Sequence, residues 1–236
     1  MAAVDDACLN CAEPLGGHAY CGACGQRGLH RRLRWRDLMR DVNAQLLEGD
    51  LPWWRTLIDL TRAPGQTARA YLDGRRARYV NPVKYAFYAL LVSVLVGGGF
   101  GGNDLVNPDV DGWRRALASN LPLFFLLMSP VAIVCLRLAF WRTRHNLVEI
   151  AVLVLYLLGQ IALLFVALTL IAAALPAAWW AAAPVLGLLV PLVYALYATA
   201  RFFDARLDHA IIAALVALTA TAWVAGQVWI RLAGHV

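Results

Sequence analysis

WWRTLIDLTRAPGQTARAYLDGRRARYVNPVKYAFY occupies residues 53–88, between two chemically different halves of the chain. Before it lie a cysteine module and a basic segment; after it lie long apolar runs. Trp53, Leu57 and Leu60 share one helical face, with Trp54 and Ile58 beside them, while Arg55, Asp59 and Arg62 lie elsewhere. Tryptophan pairs favour the membrane–water interface. Pro64-Gly65 breaks this helix, and Pro64 is suited to begin the next one. The second helix, about 65–72, stops at Gly74. Arg75, Arg76, Arg78 and Lys84 then crowd the entry to the first apolar run, and Asn81-Pro82 imposes a non-helical turn. The pattern predicts two short interfacial helices followed by entry into a bilayer.

Working outward, 61% of the 236 residues are hydrophobic, and the mean hydropathy is +0.60. A water-soluble domain runs nearer half apolar. The excess follows residue 83, in runs of the roughly 20 residues that a bilayer requires. They predict spans at about 83–100, 121–140, 147–175, 178–199 and 210–230. The third is long enough to tilt or bend, and Pro184 and Pro191 interrupt the fourth. Thirteen of the 21 Lys and Arg residues precede residue 85. With Arg142 and Arg144 in one loop and Arg201 and Arg206 in another, the positive-inside rule puts the N-terminus in the cytoplasm and the C-terminus outside. The opening MAAVDDACLN lacks a basic region followed by an apolar run, so no secretory signal is expected.

Cys8, Cys11, Cys21 and Cys24 form C-x2-C-x9-C-x2-C. Two such hairpins can present four thiolates tetrahedrally, as a structural Zn2+ site needs. A module this small cannot fold on burial alone, whereas zinc ligation in finger peptides contributes about 10–16 kcal/mol. A cytoplasmic, reducing location favours metal over disulfides. The rivals are a disulfide pair, a rubredoxin-like iron site and a redox C-x-x-C. His18 reads as a loop histidine, and Cys135, alone in an apolar run, as a small core residue.

Residues 26–51 carry Leu38, Met39, Val42, Leu46 and Leu47 at helical spacing from about 34 to 47, surrounded by Arg31, Arg32, Arg34, Arg36 and Arg40. An Arg-rich amphipathic helix beside a membrane rests on anionic headgroups. No base-reading spacing accompanies it, so nucleic acid is not expected.

Within the spans, polar groups are few. Glu149 starts the third span, and Asp204, Arg206, Asp208 and His209 occupy the last cytoplasmic loop. Ionisable groups in membrane segments are functional candidates, so Glu149, Asp204 and Asp208 form a candidate polar site; interhelical salt bridges explain them equally simply. Gln160 and Gln227 suit helix–helix hydrogen bonds. The absence of metalloprotease, phosphate-loop, nucleophile-elbow and paired-carboxylate motifs argues against familiar hydrolases and ATPases.

The run from Cys8 to Gln26, ending Y-C-x-x-C-G-Q, followed by TLIDLTRAPGQTARAYLDGRRARYVNPVKY (residues 56–85), resembles the bacterial membrane proteins of domain-of-unknown-function family 3667. The resemblance implies a zinc ribbon, several spans and a signature carried by Thr56, Pro64, Gly65, Tyr71, Gly74, Arg76, Tyr79 and Pro82. Residues 136–156 and 194–211 extend it, so that it covers nearly the whole chain. It also implies a Glu-His pair and a further histidine at the start of the third span, where this chain has Glu149-Ile150 and no histidine in the rest of that span.

The resulting expectation is an all-α integral membrane protein of the bacterial inner membrane. Residues 1–27 form a zinc ribbon, 28–82 basic interfacial helices and 83–236 a bundle of about five transmembrane helices. Its function is non-enzymatic: the ribbon and basic helices dock a cytoplasmic protein or anionic lipid through Arg31, Arg32, Arg34, Arg36, Trp53, Trp54, Arg75, Arg76, Arg78 and Lys84. A homo-oligomer is compatible with this. The alternative is a small-molecule or lipid transporter that uses Glu149, Asp204 and Asp208.

Overall fold

A computed structural model describes residues 7–28, 33–39, 53–100, 121–174, 176 and 183–204. Among these the chain is helical, apart from two isolated antiparallel bridges near the cysteines. The named helices are α1 (Trp53–Arg62), α2 (Pro64–Leu72), α3 (Pro82–Phe100), α4 (Leu121–Ala139), α5 (Leu147–Ala174) and α6 (Ala183–Phe203). Residues 35–39 are also helical. The expected fifth span at 210–230 lies outside the described residues, as do Arg31, Arg32 and Asp208.

The breakpoints follow local chemistry. Pro64 sits at the start of α2, where its missing N–H costs nothing, and Gly74 ends the segment with φ +106°, a conformation that glycine adopts freely. Asn81 caps α3: its Oδ1 accepts the Val83 N–H at 2.9 Å, one turn-starting donor that Pro82 cannot compete for. Pro184 lies in the first turn of α6 and only Pro191 is interior, so the helix is less interrupted than two prolines suggest.

The largest interface joins α3 and α5. The Tyr156 hydroxyl donates to the Val80 carbonyl at 2.7 Å. Further along, Gly159 faces Tyr85 and Ala86, and Leu90 packs with Leu158 and Ala162. Residue numbers rise together, so the two helices run parallel. The ends of α4 and α6 return to the head of α5, where Phe140 stacks on Phe203 at 3.9 Å and His145 lies 4.9 Å from Phe202.

Helix α5 has 28 residues, about 42 Å at 1.5 Å per residue, against a hydrocarbon layer of about 30 Å. Its first turns are enclosed by protein: Val148, Ile150, Val152, Leu153 and Val154 are buried in one core with Leu33, Leu38, Leu60, Tyr71 and Tyr79. The head of α5 is thus enclosed by the residues that precede α3. Of the described helices, one segment, Leu147–Ile171, is long and apolar enough to cross a membrane; Pro82–Val96, Ser129–Ala139 and Leu189–Phe203 are shorter apolar stretches. Away from the head, Leu95, Leu127 and Val193 are 61–67% exposed.

The two short helices are more deeply seated than an interfacial placement implies. Pro64, Gly65, Thr67, Ala68 and Tyr71 of α2 are buried, because the face at i, i+3, i+4 and i+7 packs on α6. A Cβ at Gly65 would lie 2.5 Å from the Ala198 carbonyl oxygen and 2.6 Å from the Phe202 nitrogen. Helix α1 crosses the bundle: Tyr194 donates to its Leu60 carbonyl and Gln160 to its Thr61 hydroxyl, both at 2.8 Å.

Candidate metal centre

The four N-terminal sulfurs lie within 4.8 Å of one another. The closest pairs, Cys8–Cys24, Cys11–Cys21 and Cys11–Cys24, are 3.5 Å apart, and all five cysteines of the chain are free. A tetrahedron with metal–sulfur bonds of 2.3 Å has edges of about 3.8 Å, so the donor set fits one four-coordinate ion. Each pair sits on the same turn. Cys8 donates its N–H to the Glu13 carbonyl and Cys21 to the Gln26 carbonyl, both at 2.8 Å. Four residues after the first cysteine of each pair, Ala12 and Gly25 take positive φ of 63° and 70°. The turns fold both C-x-x-C loops back on themselves and aim their sulfurs inward.

Four thiols this close cannot all ionise without a cation. The Glu13 backbone lowers the Cys11 thiol, but desolvation and the neighbouring Cys21, Cys24 and Cys8 thiols outweigh it and push it up to about 12. At Cys21 the Cys24 backbone leads the opposite shift, joined by Ala23 and the Cys11 and Cys24 thiols, and brings the group down to about 7 against desolvation. One member is ready as a thiolate, and a divalent ion would relieve the repulsion among the rest. Four sulfur ligands leave no open position for a substrate.

The ribbon is seated on the turn before α3. Gln26, buried two residues beyond Cys24, donates through Nε2 to the Gly74 carbonyl at 2.5 Å. Its Oε1 accepts the N–H groups of Arg76 and Ala77, each at 3.0 Å. Leu9 packs on Gly74, where a Cβ would meet its Cδ1 at 2.5 Å. Below this contact, the Thr56 hydroxyl accepts the Val80 N–H at 3.0 Å, and Asn81 Nδ2 donates to the Leu38 carbonyl at 3.0 Å. The Tyr85 hydroxyl bonds Gln160 across α3 and α5. Residues 53–85 are therefore a buried polar hub joining ribbon, α3, α5 and α6.

This hub is where the chain matches a known family. Residues 53–94 fit the model described as "Protein of unknown function (DUF3667)". This stretch of 42 residues carries the family's pattern. The match spans α1, α2, the Gly74 turn and most of α3, a shorter stretch than the near-complete resemblance read from the sequence, and does not include the ribbon. No curated protein and no solved structure matches the chain.

The sequence-predicted surface residues divide. Arg34, Arg36, Trp54, Arg75 and Arg78 are exposed, Trp54 at 77%. Arg76 and Lys84 are buried instead: Gln26 of the ribbon bonds the Arg76 N–H, and Lys84 lies in the first turn of α3. Trp53 is half-buried, with its ring 5.5 Å from both Tyr85 and Tyr88.

Of the candidate polar site, Glu149 is buried and caps its own helix. Asn146 Oδ1 accepts the Glu149 N–H at 2.8 Å, and Glu149 Oε2 accepts the Asn146 N–H at 3.1 Å. His145 Nδ1 lies 3.1 Å from the same oxygen. Asp204 instead pairs with Arg69 at 2.6 Å, and Arg69 Nε also donates to the Phe202 carbonyl at 2.5 Å. Arg69, Leu72, Asp73, Arg144, His145 and Glu149 line one cavity of about 380 Å³. Arg69, Gln26 and Asn81 carry the long-range contacts, and sequence reasoning assigned them no such role. Asn146-x-x-Glu149 had the capping-box spacing in plain view.

Proposed function

We propose that this chain is a non-enzymatic, multi-pass protein of the bacterial inner membrane. Its N-terminal ribbon holds a structural Zn2+, its basic head rests on anionic headgroups, and the head presents the ribbon to a cytoplasmic protein. The observation that carries this reading is the distribution of exposed groups along the bundle. Leu95, Leu127 and Val193, on α3, α4 and α6, are exposed apolar side chains, as lipid-facing positions would be. Exposed Arg34, Arg36, Arg75, Arg78, Arg142 and Arg144 all lie outside the apolar helices α3–α6. Cysteine-ligated zinc would hold the small module in shape, and Cys8, Cys11, Cys21 and Cys24 are the residues that would hold it. The described apolar helices, together with the apolar stretch 210–230, are the proposed spans, with the N-terminus cytoplasmic by the positive-inside rule.

The test reconstitutes the purified protein in nanodiscs with and without anionic lipid and measures zinc per chain and thermal midpoint. The reading predicts one zinc per chain and a midpoint that rises with anionic lipid, an increase that Arg75→Gln/Arg78→Gln reduces. A chain that carries no zinc and is indifferent to lipid charge overturns it.

The cavity beside Glu149 favours a second reading, a small-molecule or lipid transporter. Substrate flux in proteoliposomes that disappears in Glu149→Gln, with the fold intact, would support transport. The capping role of Glu149 supports the structural reading.

A further inference from the structure

The ribbon and the hub meet at a contact too specific to be a tether. The ribbon's own core consists of Cys8, Leu15 and Cys21, with Cys24 packed against them. That is far too little apolar area to hold a fold without metal. Yet the two residues that grip the hub are set by the ligand turns. Leu9 lies between Cys8 and Cys11, and the Gln26 carbonyl accepts the Cys21 N–H at 2.8 Å. Their target is the turn around Gly74, whose Arg76 and Ala77 N–H groups both bond Gln26 Oε1. From there backbone contacts lead on: Tyr79 N–H to the Arg76 carbonyl at 3.3 Å, Val80 N–H to Thr56, and the Val80 carbonyl to Tyr156 of α5.

We infer that the ribbon is a metal-dependent clamp on the Gly74–Ala77 turn at the head of α3. With metal bound, Leu9 packs on Gly74 and Gln26 holds the turn through the Arg76 and Ala77 N–H groups. With metal lost, the ligand turns lose their shape and Gln26 no longer bridges positions 74, 76 and 77. The spans stay folded, because the Val80–Thr56, Val80–Tyr156 and Asn81–Val83 bonds do not involve the ribbon. Metal occupancy would thereby set the conformation of the turn that carries the exposed Arg75 and Arg78. The inference rests on the metal-binding reading above. Coupling of this kind is reciprocal: a hub that grips the ribbon also tightens its hold on the ion.

Hydrogen exchange read by mass spectrometry on the full chain in nanodiscs tests it, with zinc content measured on the same samples. Chelation is expected to accelerate exchange over residues 74–77 at least tenfold, while α5 stays protected. Gln26→Ala should do the same at residues 76–77 with zinc retained, and should weaken zinc affinity about tenfold, three hydrogen bonds being lost, two of them buried. Chelation that removes zinc but leaves residues 74–77 protected overturns the clamp and spares the metal site. Exchange that rises equally in α5 overturns it as a local device. A protein that never binds zinc overturns the metal reading, and the clamp with it.

Discussion

Replacing Gly65 by alanine should loosen the head of the bundle, although alanine is the better helix former. The new Cβ would stand 2.5 Å from the Ala198 carbonyl oxygen, 2.6 Å from the Phe202 nitrogen and 2.9 Å from the Arg201 carbonyl carbon. All three are backbone atoms of α6, so no side chain can swing aside. Ordinary contact begins near 3.4 Å, and α2 and α6 must part by most of an ångström. Overpacking of this kind costs about 1–3 kcal/mol. The movement also lengthens the Arg69 bond to the Phe202 carbonyl, now 2.5 Å, and a hydrogen bond to a charged group contributes about 1.5–3 kcal/mol. Helix propensity returns at most about 1 kcal/mol. The net loss is about 2–4 kcal/mol, a fall of about 10 °C in thermal midpoint for a chain of this size. Differential scanning fluorimetry in one fixed detergent measures it. Gly22→Ala is the control, since nothing lies within 4 Å of its Cβ position, and it should leave the midpoint unchanged. A Gly65→Ala midpoint equal to or above wild type would refute the close α2–α6 contact.

Asn81→Ala removes the α3 cap and the donor to Leu38, and should lower stability by about 2–3 kcal/mol in the same assay; a loss below about 0.5 kcal/mol would count against the hub. Glu149→Ala should cost about 1–2 kcal/mol by undoing the capping box, whereas Glu149→Gln, which keeps an acceptor for Asn146, should cost less than about 1 kcal/mol. Cys21→Ser/Cys24→Ser should abolish zinc binding measured by elemental analysis while far-ultraviolet circular dichroism keeps its helical signal; full zinc content would exclude these cysteines as ligands.

The elements were legible where the signal is local. Pro64, Gly74 and Asn81-Pro82 mark real boundaries because proline and glycine act through their own backbone geometry. The four cysteines announced their cluster by spacing alone. What could not be read is long-range. Gln26 meets its partners about 50 positions away, and nothing in Gln-Arg-Gly says so. Arg76 and Lys84 looked like surface charges because burial depends on what covers them. That the head of α5 is enclosed by protein could not be read, since hydropathy registers a residue enclosed by protein and one bathed in lipid alike. Glu149 is the opposite case: its capping spacing was local and readable, but a carboxylate at the start of an apolar run drew attention as a membrane charge.

The most direct test is photo-cross-linking in native membranes, with a benzoylphenylalanine placed singly at Leu95, Leu127, Val193 and Tyr20. The first three are expected to capture lipid acyl chains, and Tyr20, on the ribbon, to capture none. Probes at Leu95, Leu127 and Val193 that react with no lipid would contradict the assignment of those positions to the bilayer, and with it the proposed membrane protein.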